Sequence, residues 1–150
     1  MRYTDTMIEA SRIADVLGGR LVLGRRVASL RELSDAVAKG LPKSALRLTV
    51  EHVFADLGEQ RRLIFRIVPE ATYKRRRDRL SSSESERTER LARVIATAEY
   101  VWDNSDEARR FLTTPHQALA KKSPLEASMT ELGARQAEEI LASIEHGLPA

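Results

Sequence analysis

The chain has 150 residues, with 25 lysines and arginines against 22 aspartates and glutamates for a formal net charge of +3, and no cysteine. That length suits one ordinary core or two small helical subdomains rather than a two-domain enzyme or a barrel, and without cysteine there is no disulfide, thiolate nucleophile or thiolate metal site. No apolar run approaches the roughly 20 residues of a membrane span, and Asp5, Glu9 and Asp15 interrupt the stretch where a signal peptide would lie, so a cytoplasmic protein without a membrane segment is expected.

Apolar residues recur at helical spacing over nearly every segment, which predicts an all-α fold. A first helix is expected over about residues 4–17, burying Ile8, Ile13, Ala14 and Leu17 and ending at Gly18 and Gly19. Leu21, Val22 and Leu23, between Gly19 and Gly24, are the one candidate for an extended piece. Ser29 with Glu32 makes a capping box, in which the hydroxyl accepts from the first turn and the carboxylate reaches back. The helix it opens closes at Gly40, where a left-handed conformation costs glycine little.

After Pro42, the residues Leu46, Val50, Val53, Phe54 and Leu57 share a face and predict a third helix stopped by Gly58. Leu63, Ile64 and Ile67 predict a shorter amphipathic helix that Pro69 interrupts, followed by a basic helix over residues 70–79. Ser81, Ser82 and Ser83 mark the boundary between two halves, and Ser83 with Glu86 forms a second capping box.

The longest helix follows, over about residues 84–102. Its stripe of Leu91, Val94, Ile95, Ala98, Val101 and Trp102 is wide enough to bridge both halves or to pair with a second copy of the chain. Asn104 and Ser105 break it before a short helix over residues 107–112, and Trp102, Phe111 and Leu112 are expected inside the second half. Ser123-Pro124-Leu125-Glu126 combines a cap, a proline at the first helical position and a glutamate at the third. The last helix, about residues 130–146, is expected to bury Leu132, Ala137, Ile140, Leu141 and Ile144 and to be capped by Gly147.

The charge is unevenly placed. Residues 60–79 hold eight basic side chains (Arg61, Arg62, Arg66, Lys74, Arg75, Arg76, Arg77, Arg79) against Glu70 and Asp78, a local balance of +6; residues 123–150 hold five glutamates and Arg135, a balance of −4. Opposite faces of this kind suggest two partners, a phosphate backbone for one and a charge-selective protein surface for the other. Helix 63–68, a break at Pro69 and helix 70–79 have the proportions of a helix-turn-helix. Thr72, Tyr73, Arg75 and Arg76 are then the base-reading candidates, with Lys74, Arg77 and Arg79 as phosphate contacts. The same run also fits a solvated charged helix, or polyanion binding without sequence preference.

No catalytic constellation is visible. His52, His116 and His146 stand in no metal-ligand spacing and are expected as surface or cap residues. Gly18, Gly19 and Gly24 lack the strand and the Lys-Ser/Thr pair of a phosphate loop, no Gly-x-Ser-x-Gly elbow occurs, and Glu138 and Glu139 diverge by about 100° on a helix. No enzyme activity, metal or cofactor is expected.

Beyond the basic segment the order of short motifs becomes specific. Thr72-Tyr73-Lys74-Arg75-Arg76, Leu80-Ser81, Glu84, Glu86, Arg87, Arg90-Leu91 and Ala98 resemble antitoxins of the Xre/MbcA/ParS class. Ala108, Phe111-Leu112, Pro115-His116, Leu119, Ser123-Pro124-Leu125-Glu126, Thr130-Glu131, Gly133-Ala134-Arg135, Leu141, Ile144 and Gly147 look like that family's C-terminal toxin-binding domain. The resemblance implies an Xre/Cro-like helix-turn-helix half followed by a small helical toxin-binding domain, in a type II antitoxin of a RES-domain toxin that consumes NAD. It implies that the C-terminal region covers the toxin's active-site entrance, and that the Cro-like half binds operator DNA and represses the chain's own operon.

On this basis residues 1–28 are an N-terminal helix and connector, 29–82 a DNA-binding and dimerisation region and 83–150 the toxin-binding domain, within a homodimer that joins a larger toxin–antitoxin complex. A pocket for the NAD pyrophosphate should be electropositive, so the acidic end is complementary to it. Arg135, Glu138, Glu139, Glu145, His146 and Gly147, with the tail Leu148-Pro149-Ala150, are the expected toxin contacts. The same glutamates also fit the solvated face of a packed helix. The competing function is a homodimeric helix-turn-helix repressor with no toxin partner, whose C-terminal half only dimerises.

Overall fold

The structure is a computed structural model that describes residues 8–147. The expected start of the first helix before Ile8 and the tail Leu148-Pro149-Ala150 lie outside the described residues. Among these residues the fold is all-α, with ten helices, one 3-10 turn and no strand; two isolated bridges pair Pro42 with Arg79 and His116 with Lys122. The chain divides inside its longest helix: Glu9–Ala92 form one compact unit, and the residues from Arg93 onward belong to another.

In the first unit, α1 (Ala10–Val16) buries Ile13, Ala14 and Val16 against α2 (Gly19–Leu23), α3 (Leu30–Lys39) and α4 (Lys43–Glu51). The Leu21-Val22-Leu23 segment is a helical turn, not an extended piece. A three-residue strand without a partner would leave its backbone groups unpaired. Gly18 and Gly24, at φ of +112° and +78°, instead allow the chain to coil locally, with the Gly24 N–H donating to the Arg20 carbonyl, and Leu21 stands 98% exposed. The Ser29–Glu32 capping box forms as its spacing predicts, with both reciprocal hydrogen bonds at 3.1 Å.

Gly40 does end α3, but at φ +96° and ψ +121°, outside the left-handed helical region. Glycine is required there by a close approach, since a Cβ would lie 2.4 Å from the Leu80 carbonyl oxygen. The Leu80 N–H donates to the Leu41 carbonyl, and the Lys43 N–H to the Asp78 carbonyl, both at 2.8 Å.

Helix α4 stops at Glu51, well before Gly58. Asp56 caps α5 (Leu57–Ile67) by accepting from the Glu59 N–H at 2.9 Å, so Leu57 opens the next helix and is 68% exposed, and Gly58 lies in that helix's first turn. An Asp-x-x-Glu spacing in the sequence carried this signal. Leu63, Ile64 and Ile67 are buried as their spacing predicts, and α5 ends before Val68-Pro69. Helix α6 spans Glu70–Arg75 only; from Arg76 the backbone turns extended, which shortens the basic helix expected to reach residue 79. Helix α7 runs Ser82–Trp102, and the serine that caps it is Ser81 with Glu84, two residues before the Ser83–Glu86 pair.

In the second unit, Asn104 caps α8 (Ser105–Thr113), a 3-10 turn covers Gln117–Leu119, and Ser123 caps α9 (Pro124–Ala127) with Pro124 in its first turn. Thr130 caps α10 (Glu131–Glu145). Leu119, Ala127 and Ile140 form a core cluster on which Phe111 and Ile144 pack. Leu112 and Leu141 are fully buried, whereas Trp102 is half-buried, with its ring tilted 6.2 Å from that of Phe111. Leu132 is 70% exposed and leaves the predicted stripe. At about 100° per residue it falls on the far side of α10 from the buried Ala134, Ala137 and Leu141.

The Gly133-Ala134-Arg135 motif has a packing reason. A Cβ on Gly133 would sit 1.9 Å from the Ala127 carbonyl oxygen, so α10 starts against the end of α9 at a distance that glycine alone permits. Gly133→Ala should therefore destabilise the chain by on the order of 3 kcal/mol. At Gly147, where φ is +69° but no atom lies within 4 Å, the same change should cost about 1 kcal/mol. Urea denaturation of the two variants checks the difference; equal costs would refute the backbone clash.

Candidate functional site

The basic segment lies in the first unit, on α5, α6 and the extended residues that follow. Pro69, lacking an N–H, stands at the cap of α6 and makes a tight two-residue join with Val68. The seven side chains expected to meet DNA are placed differently from one another. Tyr73 is half-buried, edge-on to Phe65 at 5.9 Å, and the Lys43 ammonium sits over its ring at 4.2 Å. Burial pushes the Tyr73 hydroxyl above its ordinary pKa. Arg76 grips Glu84 with two charge-assisted hydrogen bonds, Nε to Oε1 at 3.0 Å and Nη2 to Oε2 at 2.9 Å. Arg79 donates from Nη1 to the Gly40 carbonyl at 2.7 Å, supporting the C-terminal end of α3.

Arg79 is nonetheless exposed, as are three of the remaining four. Thr72 is half-buried and accepts from Arg75 Nη2 at 3.4 Å, Lys74 pairs with Glu70 at 2.7 Å across one helical turn, and Arg75 and Arg77 are exposed. Three arginines of α5, Arg61, Arg62 and Arg66, are exposed as well. Helix-turn-helix proportions direct attention to the second helix and pass over them, although the charge count contained them.

The acidic segment lies in the second unit. Arg93 on α7 reaches two glutamates of α10, Glu138 at 3.1 Å and Glu131 at 3.3 Å. Glu138 is therefore half-buried in a packed ion pair, while Arg135 and Glu139 stand exposed on the outer side of the same helix. Burial, the largest influence, raises the Glu138 carboxyl above its ordinary pKa although the Arg93 guanidinium opposes it. Glu145 is half-buried and faces His146 at 3.8 Å, and Gly147 follows with positive φ. Leu148 and Pro149 lie outside the described residues.

Each histidine stands at a helix end. His52 and His146 occupy the C-caps of α4 and α10, and His116 Nδ1 accepts from the Ala118 N–H at 3.1 Å to cap the 3-10 turn. Among the described residues no group of three or more histidine, cysteine or acidic side chains is placed to hold a metal, and no helix is long and apolar enough to cross a membrane.

These two faces coincide with two families matched along the sequence. Residues 32–93 match the antitoxin Xre-like helix-turn-helix domain, and residues 97–147 match the antitoxin Xre/MbcA/ParS C-terminal toxin-binding domain. Both are domains of Xre-class antitoxins. The chain is also similar to an antitoxin Xre of Pseudomonas putida (strain KT2440), 34% identical over 84 residues that cover 54% of this chain and 53% of that protein. The matched stretch spans about half the length of that relative. The helix-turn-helix domain contains α3 to α6 and the first half of α7, and the Xre/MbcA/ParS domain contains α8 to α10.

The raised Glu138 carboxyl has a thermodynamic consequence. Between the usual carboxylate range and the higher folded value, the folded state holds a proton that the unfolded state has released. Stability is then fully present at low pH and falls as pH rises through that window. Glu138→Gln should flatten this part of the profile, so that wild type loses ground to the variant as pH rises. Urea midpoints across the acidic range test this, and parallel profiles would show that Glu138 does not titrate there.

Proposed function

We propose that the chain is the antitoxin of a type II system, neutralising a RES-domain toxin by covering its active-site entrance and repressing its own operon through the helix-turn-helix. The match of residues 97–147 to a toxin-binding domain carries the first half of this proposal. The acidic balance of residues 123–150 supports an NAD-consuming partner, since a pocket for the NAD pyrophosphate is electropositive. In this role the protein acts in the cytoplasm by occlusion, without chemistry or cofactor of its own. The toxin contacts are Arg135, Glu139, Glu145, His146 and Gly147 with Leu148 and Pro149, and Glu138 serves them from its ion pair with Arg93. Residues 29–82 bind DNA and dimerise, residues 83–150 bind the toxin, and residues 1–28 lead into the first of these.

The second half of the proposal rests on the basic surface and the match of residues 32–93. Because Tyr73 packs under Lys43, Arg76 is committed to the buried Glu84 and Arg79 to the Gly40 carbonyl, whereas Lys74 and Arg75 bond only within their own short helix, the DNA contacts are narrowed to Thr72, Lys74, Arg75 and Arg77.

Ile144 packs on the Leu119–Ala127–Ile140 cluster, so a deletion that tests occlusion must begin after it. Removal of residues 147–150 should leave the helical circular dichroism intact and abolish inhibition of NAD consumption by a purified RES-domain toxin encoded beside this chain. Full inhibition by the shortened chain would rule out occlusion by the tail. For DNA, Arg75→Ala should weaken binding to the chain's own promoter duplex and lower the salt slope by about 0.9; an unchanged slope would remove Arg75 from the interface.

A further inference from the structure

Within the basic segment Arg75 and Arg77 are exposed, whereas Arg76 is held from within by a single buried carboxylate. Glu84 is only 4% exposed. Its Oε1 accepts from the Ser81 N–H at 2.8 Å, completing the cap of α7, and from Arg76 Nε at 3.0 Å; its Oε2 accepts from Arg76 Nη2 at 2.9 Å. The backbone of Arg76 is held as well, because Lys43 Nζ donates to its carbonyl at 3.0 Å while lying over the Tyr73 ring. The residue that ends α6 is thus tied through its side chain to the start of α7 and through its carbonyl to the start of α4.

We propose that Glu84 is a positioning residue for the nucleic-acid face: through Arg76 and Ser81 it locks the six-residue helix α6 and the turn after it, and so aims Lys74, Arg75 and Arg77 outward. Helix α6 is too short to hold itself, since isolated helices below about 12 residues are marginal in water. Its orientation has to come from its ends. Pro69 fixes the first end by its restricted backbone, and the Arg76–Glu84 pair fixes the second. Arg76 accordingly contributes to DNA binding through Glu84 and not by touching a base or a phosphate.

This rests on the DNA-binding role proposed above, and simple electrostatics predicts the opposite of it. Removing the negative charge of Glu84 from beside a basic segment should tighten binding to DNA if charge alone matters. If Glu84 positions α6, Glu84→Gln should weaken binding. Arg76→Lys gives an independent variant at a partly exposed site, because lysine keeps the charge and binds phosphate but cannot reproduce the paired hydrogen bonds.

Fluorescence anisotropy of the full chain would be measured against a labelled duplex from immediately upstream of its own coding sequence, and against a scrambled duplex of equal length, over a salt series. Hydrogen–deuterium exchange of the DNA-free chain would be followed over residues 72–77. Both variants are expected to bind the upstream duplex roughly tenfold more weakly, the scale of one lost charge-assisted hydrogen bond. The salt slope of Arg76→Lys should stay unchanged, and exchange over residues 72–77 should accelerate in both. Tighter binding by Glu84→Gln, binding by Arg76→Lys equal to wild type, or unchanged exchange would overturn the proposal. Wild type that binds neither duplex would refute the DNA-binding role, and exchange alone would then decide whether the lock exists.

Discussion

A carboxylate removed from water is tolerated only when charged or polar donors replace its hydration, and in the helix-turn-helix unit Glu84 meets that condition with three of them. The Arg76 guanidinium, acting mainly through its hydrogen bonds, holds the Glu84 carboxyl below the usual carboxylate range despite its burial. What depends on this is the path of the chain between α6 and α7. Arg76 leaves the helix at the residue where its side chain is captured, and Ser81 starts the next helix where the same carboxylate accepts its N–H. The extended residues between them are then placed for the Leu80–Leu41 and Lys43–Asp78 backbone bonds. Beside those bonds Gly40 approaches the Leu80 carbonyl closely enough to exclude any side chain.

The second unit uses the same two devices with different residues. A glycine, Gly133, allows α10 to begin against the backbone of α9, and an arginine, Arg93, reaches two glutamates that would otherwise repel each other along α10. The pairing gives the acidic end an inner and an outer part. Glu131 and Glu138 share Arg93, whereas Arg135 and Glu139 lie on the outer side of the helix, where an incoming protein surface would meet them first. An acidic count alone does not make this distinction, because each glutamate contributes equally to it.

Much of the secondary structure could be read from local chemistry. The caps at Ser29 and Ser123 join groups a few residues apart, so spacing alone reveals them. The break at Pro69 follows from a missing N–H, and the burial of Leu63, Ile64 and Ile67 from helical period. Misplacements arose where two local signals competed. Gly58 resembled a helix stop, although Asp56 with Glu59 had already opened α5. Ser83 with Glu86 resembled a cap, although Ser81 with Glu84 had Arg76 to reinforce it. Leu132 suited an apolar stripe by composition but stands on the wrong side of α10.

By itself the sequence determined the all-α class, most of the helix ends and the separation of basic from acidic charge, because these depend on interactions between neighbours along the chain. Which charges remain turned outward was decided by tertiary structure. Arg79 is held by a carbonyl 39 residues away and Arg93 by a carboxylate 45 residues away, and no local pattern encodes either distance. An exposed arginine and an arginine committed to a buried carboxylate look identical in a sequence. Folding separates them by bringing a partner to one and leaving the other beside water.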